Sequence, residues 1–98
     1  MQIPRVIRLL GKKYRVVTTP HIDDCGNTEA SKCTIWINVE IDEQQIRDTL
    51  LHEIIHAIDY EYHLKMEERQ VHCMATSLLA LFKENPTLSK FLGITKGD

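Results

Sequence analysis

The stretch LLHEIIHAIDY, residues 50 to 60, constrains the chain more than any other. His52 and His56 stand four apart, with Glu53 directly after the first, in almost entirely apolar surroundings. At about 100° per residue, Ile46, Leu50, Ile54, Ile58, Leu51 and Ile55 gather on one broad face of a helix. His52, His56 and His63 fall together on the other side, flanked by Glu53 and Tyr60. Side chains four apart on a helix lie one above the other, so both imidazoles can reach a single ion. Uncoordinated imidazoles would be hard to satisfy in so apolar a helix. Four of the five histidines also lie between residues 52 and 72. The pattern predicts a metal site built on a helix, rather than a helix that merely carries histidines.

A His-Glu-x-x-His helix suits one tetrahedral Zn2+, whose bonds to imidazole nitrogen are about 2.0–2.1 Å long. Two imidazoles with a carboxylate and an open position suit zinc well, with another divalent metal as the alternative. Glu53 then projects beside the ion, where it can take a proton from a zinc-bound water of pKa near ~7. Hydrolytic chemistry needs a third protein ligand and an open fourth position.

The third ligand is sought beyond this helix. Asp59 lies seven residues from His52, about 10 Å along the axis, and His63 lies farther still. Asp59 reads as an acceptor supporting a ligand or as a plain surface charge. The metzincin pattern HExxHxxGxxH fails, because Asp59 and Tyr62 stand where its Gly and third His belong. If the chain turns around His63-Leu64-Lys65, a second helix runs back with Glu67 and Glu68 in its first turn. Helical phase puts Glu68 on a stripe with His72, Ala75 and Leu79, and turns Glu67 about 100° away. Glu68 is the expected ligand and Glu67 the fallback. His72 either bonds that carboxylate, lines the pocket or is a plain surface histidine.

The rest of the chain frames this site. Before residue 40, β-favouring runs dominate: RVIRLL (5 to 10), KYRVVTT (13 to 19) and CTIWINV (33 to 39). Gly11-Lys12 reads as a tight hairpin connection, and Pro20 ends the second run. HIDDCGNTEASK reads as a loop, with room for a short extra strand. Asp42 followed by Gln45 has the form of a capping box and starts the histidine helix. The second helix runs from near Glu67 to about Glu84, burying Val71, Met74, Ala75, Leu78, Leu81 and Phe82. Asn85-Pro86 stops it, and LSKFLG (88 to 93) forms a short closing turn.

The expected fold is therefore α+β in one domain spanning residues 1 to 98. Residues 1 to 41 form a small twisted antiparallel or mixed sheet of about three strands, and 42 to 98 a helical half.

Charge and cysteines narrow the function classes. The net charge of −2 argues against nucleic-acid binding by bulk electrostatics. No apolar run approaches the ~18 residues of a membrane span, and the N-terminus lacks a signal peptide's apolar core. Cys25, Cys33 and Cys73 show no zinc-knuckle or redox spacing. Free thiols in a reducing, cytoplasmic setting are expected.

HEIIHAIDY followed by EERQVHCMATSLL resembles the ImmA/IrrE-like group of zinc metallopeptidases, within the gluzincin class. There the HExxH helix precedes one opening with a pattern close to E-x-x-A-N-x-F-A-x-x-L-L. Glu68, Ala75, Leu78 and Leu79 match in register, whereas Val71, His72 and Met74 depart from the commonest letters. Small phage- or prophage-encoded members with HEIxHAID and a DNP-like ending are similar too, and Lys83-Glu84-Asn85-Pro86 fits that ending. The resemblance spans about residues 13 to 86. It implies a minimal zincin-like domain with one Zn2+ on His52, His56 and Glu68, and Glu53 as catalytic base.

The expected activity is hydrolysis of peptide bonds in a protein or peptide substrate, by analogy a transcriptional regulator in a bacterial or phage-infected cell. The substrate would add a strand to a sheet edge, with CTIWINV the best-placed edge unless it is an ordinary buried strand. Tyr60, His63 and His72 are the candidates to steady the developing oxyanion. The rival reading is a non-catalytic, zinc-stabilised protein-binding module. Retention of Glu53 favours catalysis, because a structural zinc site has no use for it.

Overall fold

The computed structural model describes residues 2–20 and 23–94. Four strands, β1 (Val6–Leu9), β2 (Lys12–Thr19), β3 (Gly26–Glu29) and β4 (Thr34–Asn38), precede three helices, α1 (Glu43–Tyr62), α2 (Glu68–Glu84) and α3 (Pro86–Phe91). The α+β class holds, with a mixed sheet of four strands instead of about three. The additional strand, β3, comes from the segment expected to be mostly loop. Four residues are too few to show a period of two, so only pairing with β4 reveals it.

The sheet runs in the order β1-β2-β4-β3. β1 and β2 form an antiparallel hairpin whose turn is Leu10-Gly11, not Gly11-Lys12; Lys12 already pairs with Leu9. Both turn residues have positive φ, 50° and 81°, the signature of a two-residue turn that matches strand twist. β2 then pairs parallel with β4, and β3 pairs antiparallel with β4. CTIWINV is therefore the source of a central strand flanked on both sides, and the reading of it as the edge is overturned. The edges are β1 and β3.

Alternation along the strands sends Tyr14, Val16, Ile35 and Ile37 to one face, where they are buried with Ile46 and Ala57 of α1. Each such apolar side chain contributes about 1.5–3 kcal/mol when fully buried. A second cluster, Ile55, Val71 and Ala75, joins α1 to α2. The expected single apolar face of α1 is thus two. Leu50 and Ile54 pack towards the sheet, whereas Leu51 packs towards α2. On α2, Met74 and Leu81 remain 47% and 40% exposed, because α2 packs mainly on α1 and buries only a narrow stripe.

Local signals define the helix ends. Asp42 Oδ1 accepts from the Gln45 amide at 2.9 Å and starts α1. His63 and Lys65 both take left-handed backbone conformations, and α2 starts with Glu67 as its cap. Glu67 and Gln70 form a reciprocal capping box, so Glu67 is committed to the helix end.

Candidate metal centre

The α1–α2 reversal brings three donors together. His52 Nε2 lies 2.5 Å from Glu68 Oε1, and His56 Nε2 lies 3.0 Å from Glu68 Oε2. Ligand atoms of His52, His56 and Glu68 all lie within 4.8 Å of one another, a group that could hold a metal ion. Tetrahedral ligands with bonds of about 2.0–2.1 Å are roughly 3.3 Å apart, so shifts of under about 1 Å would seat an ion. Two imidazole nitrogens and a carboxylate oxygen are a donor set that fits a divalent transition metal. Both histidines are partly buried, and Glu68 is 68% exposed at the rim.

The turn that delivers Glu68 depends on Asp59. Its Oδ1 accepts from the Met66 amide at 3.1 Å, and its main-chain oxygen accepts from Leu64 at 3.1 Å. Asp59 thus ties down the connection between the helices. His63 does not continue the histidine face, because its left-handed conformation ends α1. Its ring lies beside Tyr60 at a centroid distance of 6.5 Å.

Glu53 behaves differently from the flanking position expected of it. Its helical phase points towards β3, and the residue is only 7% exposed. Thr28 Oγ1 donates to Glu53 Oε1 at 2.7 Å, and lies 3.0 Å from the Glu53 main-chain oxygen. Gly26 permits this closeness. A Cβ there would come within 2.6 Å of Thr49 Cγ2, 2.8 Å of the Trp36 carbonyl and 3.3 Å of Glu53 Cγ.

In comparisons with known proteins, no family model, curated protein or solved structure matches the chain.

The centre opens into a cleft of about 800 Å3 between β3 and α1, closed at one end by α2. Tyr60 and His72 line it; Asp59 and His63 do not. His72 sits with its ring centroid 6.2 Å from that of His52 and makes no hydrogen bond to Glu68 among the described residues. Away from the histidines, the cleft runs along Gln45, Asp48 and Thr49 of α1, opposite Asp24, Cys25 and Asn27. Sequence reasoning missed Thr28, Gly26 and this extension. Their roles arise from a contact between segments about 25 residues apart, which no local spacing signals.

The cysteines stay outside the donor group. Cys25, Cys33 and Cys73 are free thiols. No helix among the described residues is long and apolar enough to cross a membrane.

Proposed function

We propose that the chain is a zinc-dependent metallopeptidase of ImmA/IrrE-like, gluzincin type. The observation that carries this reading is the convergence of His52, His56 and Glu68 next to a buried Glu53 held on β3. When bound, a divalent ion supplies Lewis acidity, polarising a carbonyl and acidifying water towards pKa ~7. Two imidazoles and one carboxylate suit zinc well.

The chain's own groups supply the rest. Glu53 accepts a proton from the attacking water and returns it to the leaving nitrogen as the C–N bond breaks. Thr28 holds one carboxylate oxygen, leaving the other for this transfer. Tyr60 and His72 line the cleft and are the donors available to a developing oxyanion.

An extended peptide would lie along β3. Because the Asn38 amide donates to the Cys25 carbonyl at 2.8 Å, antiparallel alternation turns the main-chain groups of Gly26 and Thr28 away from β4. Those groups form the edge to which a substrate strand would add. The substrate class is a protein or peptide, by resemblance a transcriptional regulator, met in the cytoplasm of a bacterial or phage-infected cell.

A zinc-stabilised binding module is the rival. Three donors, not four, make up the group among the described residues, whereas structural zinc sites close with four. That favours catalysis. Metal analysis of Glu53→Gln beside the wild type tests the proposal, together with digestion of a protein panel from the same cell. The variant should keep the metal and lose hydrolysis; equal hydrolysis by both would overturn the mechanism, and metal without hydrolysis in either would favour the rival.

A further inference from the structure

All three helices lie on one side of the sheet or beyond it, and no described helix covers the opposite face. Strand alternation and register assign that open face. Arg8 pairs directly with Lys13 and Val6 with Arg15 across the β1–β2 hairpin. The row of Arg15 continues through Thr34 to Glu29, and Val17, Trp36 and Asn27 form the adjacent row. Arg8, Lys13 and Arg15 are exposed, and among the described residues none has an ion-pair or hydrogen-bond partner for its side chain. A like-charged cross-strand pair is unfavourable in isolation. Here it is reinforced by a third cation one pleat away.

Asp24, Asp48, Glu53 and Glu68 line the cleft on the other side, and Glu29, the acidic residue of β3 on the open face, is paired with Lys32 at 3.4 Å. A net charge of −2 therefore conceals a cationic sheet face. The expectation drawn from net charge alone does not apply to it.

We infer that this open face binds single-stranded nucleic acid, with Arg8, Lys13 and Arg15 on successive phosphates and Trp36 as the surface on which a base stacks. Charge complementarity calls for a polyanion. The half-buried Trp36 in the same face discriminates between polyanions: an acidic peptide would use the cations and leave the indole idle, whereas a base has a π-face to lay on it. Four strands at about 4.8 Å spacing span roughly 15 Å, enough for two or three nucleotides. Contact is to backbone and π-face, so sequence preference is weak. This inference does not depend on the metal centre.

Trp36 is the only tryptophan, so its fluorescence reports stacking directly. The full chain would be titrated with oligo(dT) and oligo(U) octamers at 20 mM salt, with oligoglutamate as the competing polyanion. Quenching by either nucleic acid is expected, and the two arms distinguish DNA from RNA. Three phosphate contacts predict a log–log salt slope near about −2, so affinity falls about 20-fold between 50 and 200 mM salt. Arg8→Ala, Lys13→Ala and Arg15→Ala should each flatten the slope by about 0.7. Trp36→Leu, followed by anisotropy of a labelled octamer, should weaken binding about tenfold. Absence of binding at low salt, undiminished affinity in Trp36→Leu, or tighter binding of oligoglutamate without quenching would each overturn the inference.

Discussion

Thr28 Oγ1 stands 2.7 Å from Glu53 Oε1 and 3.0 Å from the Glu53 main-chain oxygen, so one hydroxyl ties the edge strand to both the side chain and the backbone of α1. Glu53 is only 7% exposed, and a carboxyl group that deep needs a hydrogen-bond partner. Thr28→Val keeps the shape and removes the donor. It should cost about 2 kcal/mol in urea denaturation, and Thr28→Ser should restore most of the loss. Equal stability of the valine and wild-type proteins would show that the contact does not hold Glu53.

Gly26 sets how closely β3 approaches α1. Added at Gly26, a Cβ meets the Trp36 carbonyl at 2.8 Å, and that backbone oxygen has little freedom to move. Gly26→Ala is expected to destabilise by about 1–3 kcal/mol, the usual range for overpacking. Chemical denaturation reads it directly, and a neutral result would mean that the strand can shift outward freely.

Zinc should stabilise the fold by mass action. At a free concentration 100 times Kd the gain is about 2.7 kcal/mol, which for a chain of this size raises Tm by roughly 10–20 °C. Thermal melts with added zinc should show the rise in wild type and in Glu53→Gln. His52→Ala, His56→Ala and Glu68→Gln should each lose most of it. A rise in Glu68→Gln as large as in wild type would remove that residue from the ligand set.

At the far end of α1, Glu61 accepts from Tyr14 at 2.9 Å and pairs with Lys12 at 2.9 Å. The Lys12 hydrogen bond, then that of Tyr14, holds the Glu61 carboxyl below its ordinary 4.5. A depressed carboxyl stabilises the fold above its ordinary value, and that contribution disappears as pH falls through the lowered one. Lys12 is raised above 10.5, chiefly by its hydrogen bond to Glu61. Burial first, then the bond to Glu61, raises Tyr14 above 10.0. Both contributions are complete below those ordinary values and vanish as pH rises beyond them. Urea midpoints should therefore fall at both extremes. Glu61→Gln should be weaker at neutral pH and flatter on the acid side; an unchanged acid limb would show that other carboxylates govern it.

Helix geometry and helix ends were legible locally, whereas the hairpin turn falls one residue earlier than read, at Leu10-Gly11. An i, i+4 relation between His52 and His56 follows from helix geometry alone, and the Asp42 cap and the Asn85-Pro86 stop act within a few residues of their own positions. Phase also distinguished Glu68 from Glu67, because the second helix begins where its capping residues dictate. Cross-strand order has no such local record. Whether CTIWINV lies at the edge or the centre depends on which strands pair with it, and its apolar alternation suits both positions.

The tertiary structure alone decided that β3 borders the cleft, that Thr28 reaches Glu53, and that Asp59 braces a turn. It likewise turned His63 away from the histidine face. Spacing along the chain determines which side chains share a side of one helix. Contacts between distant segments are set by how whole elements pack, because the energy that selects them comes from surfaces buried together.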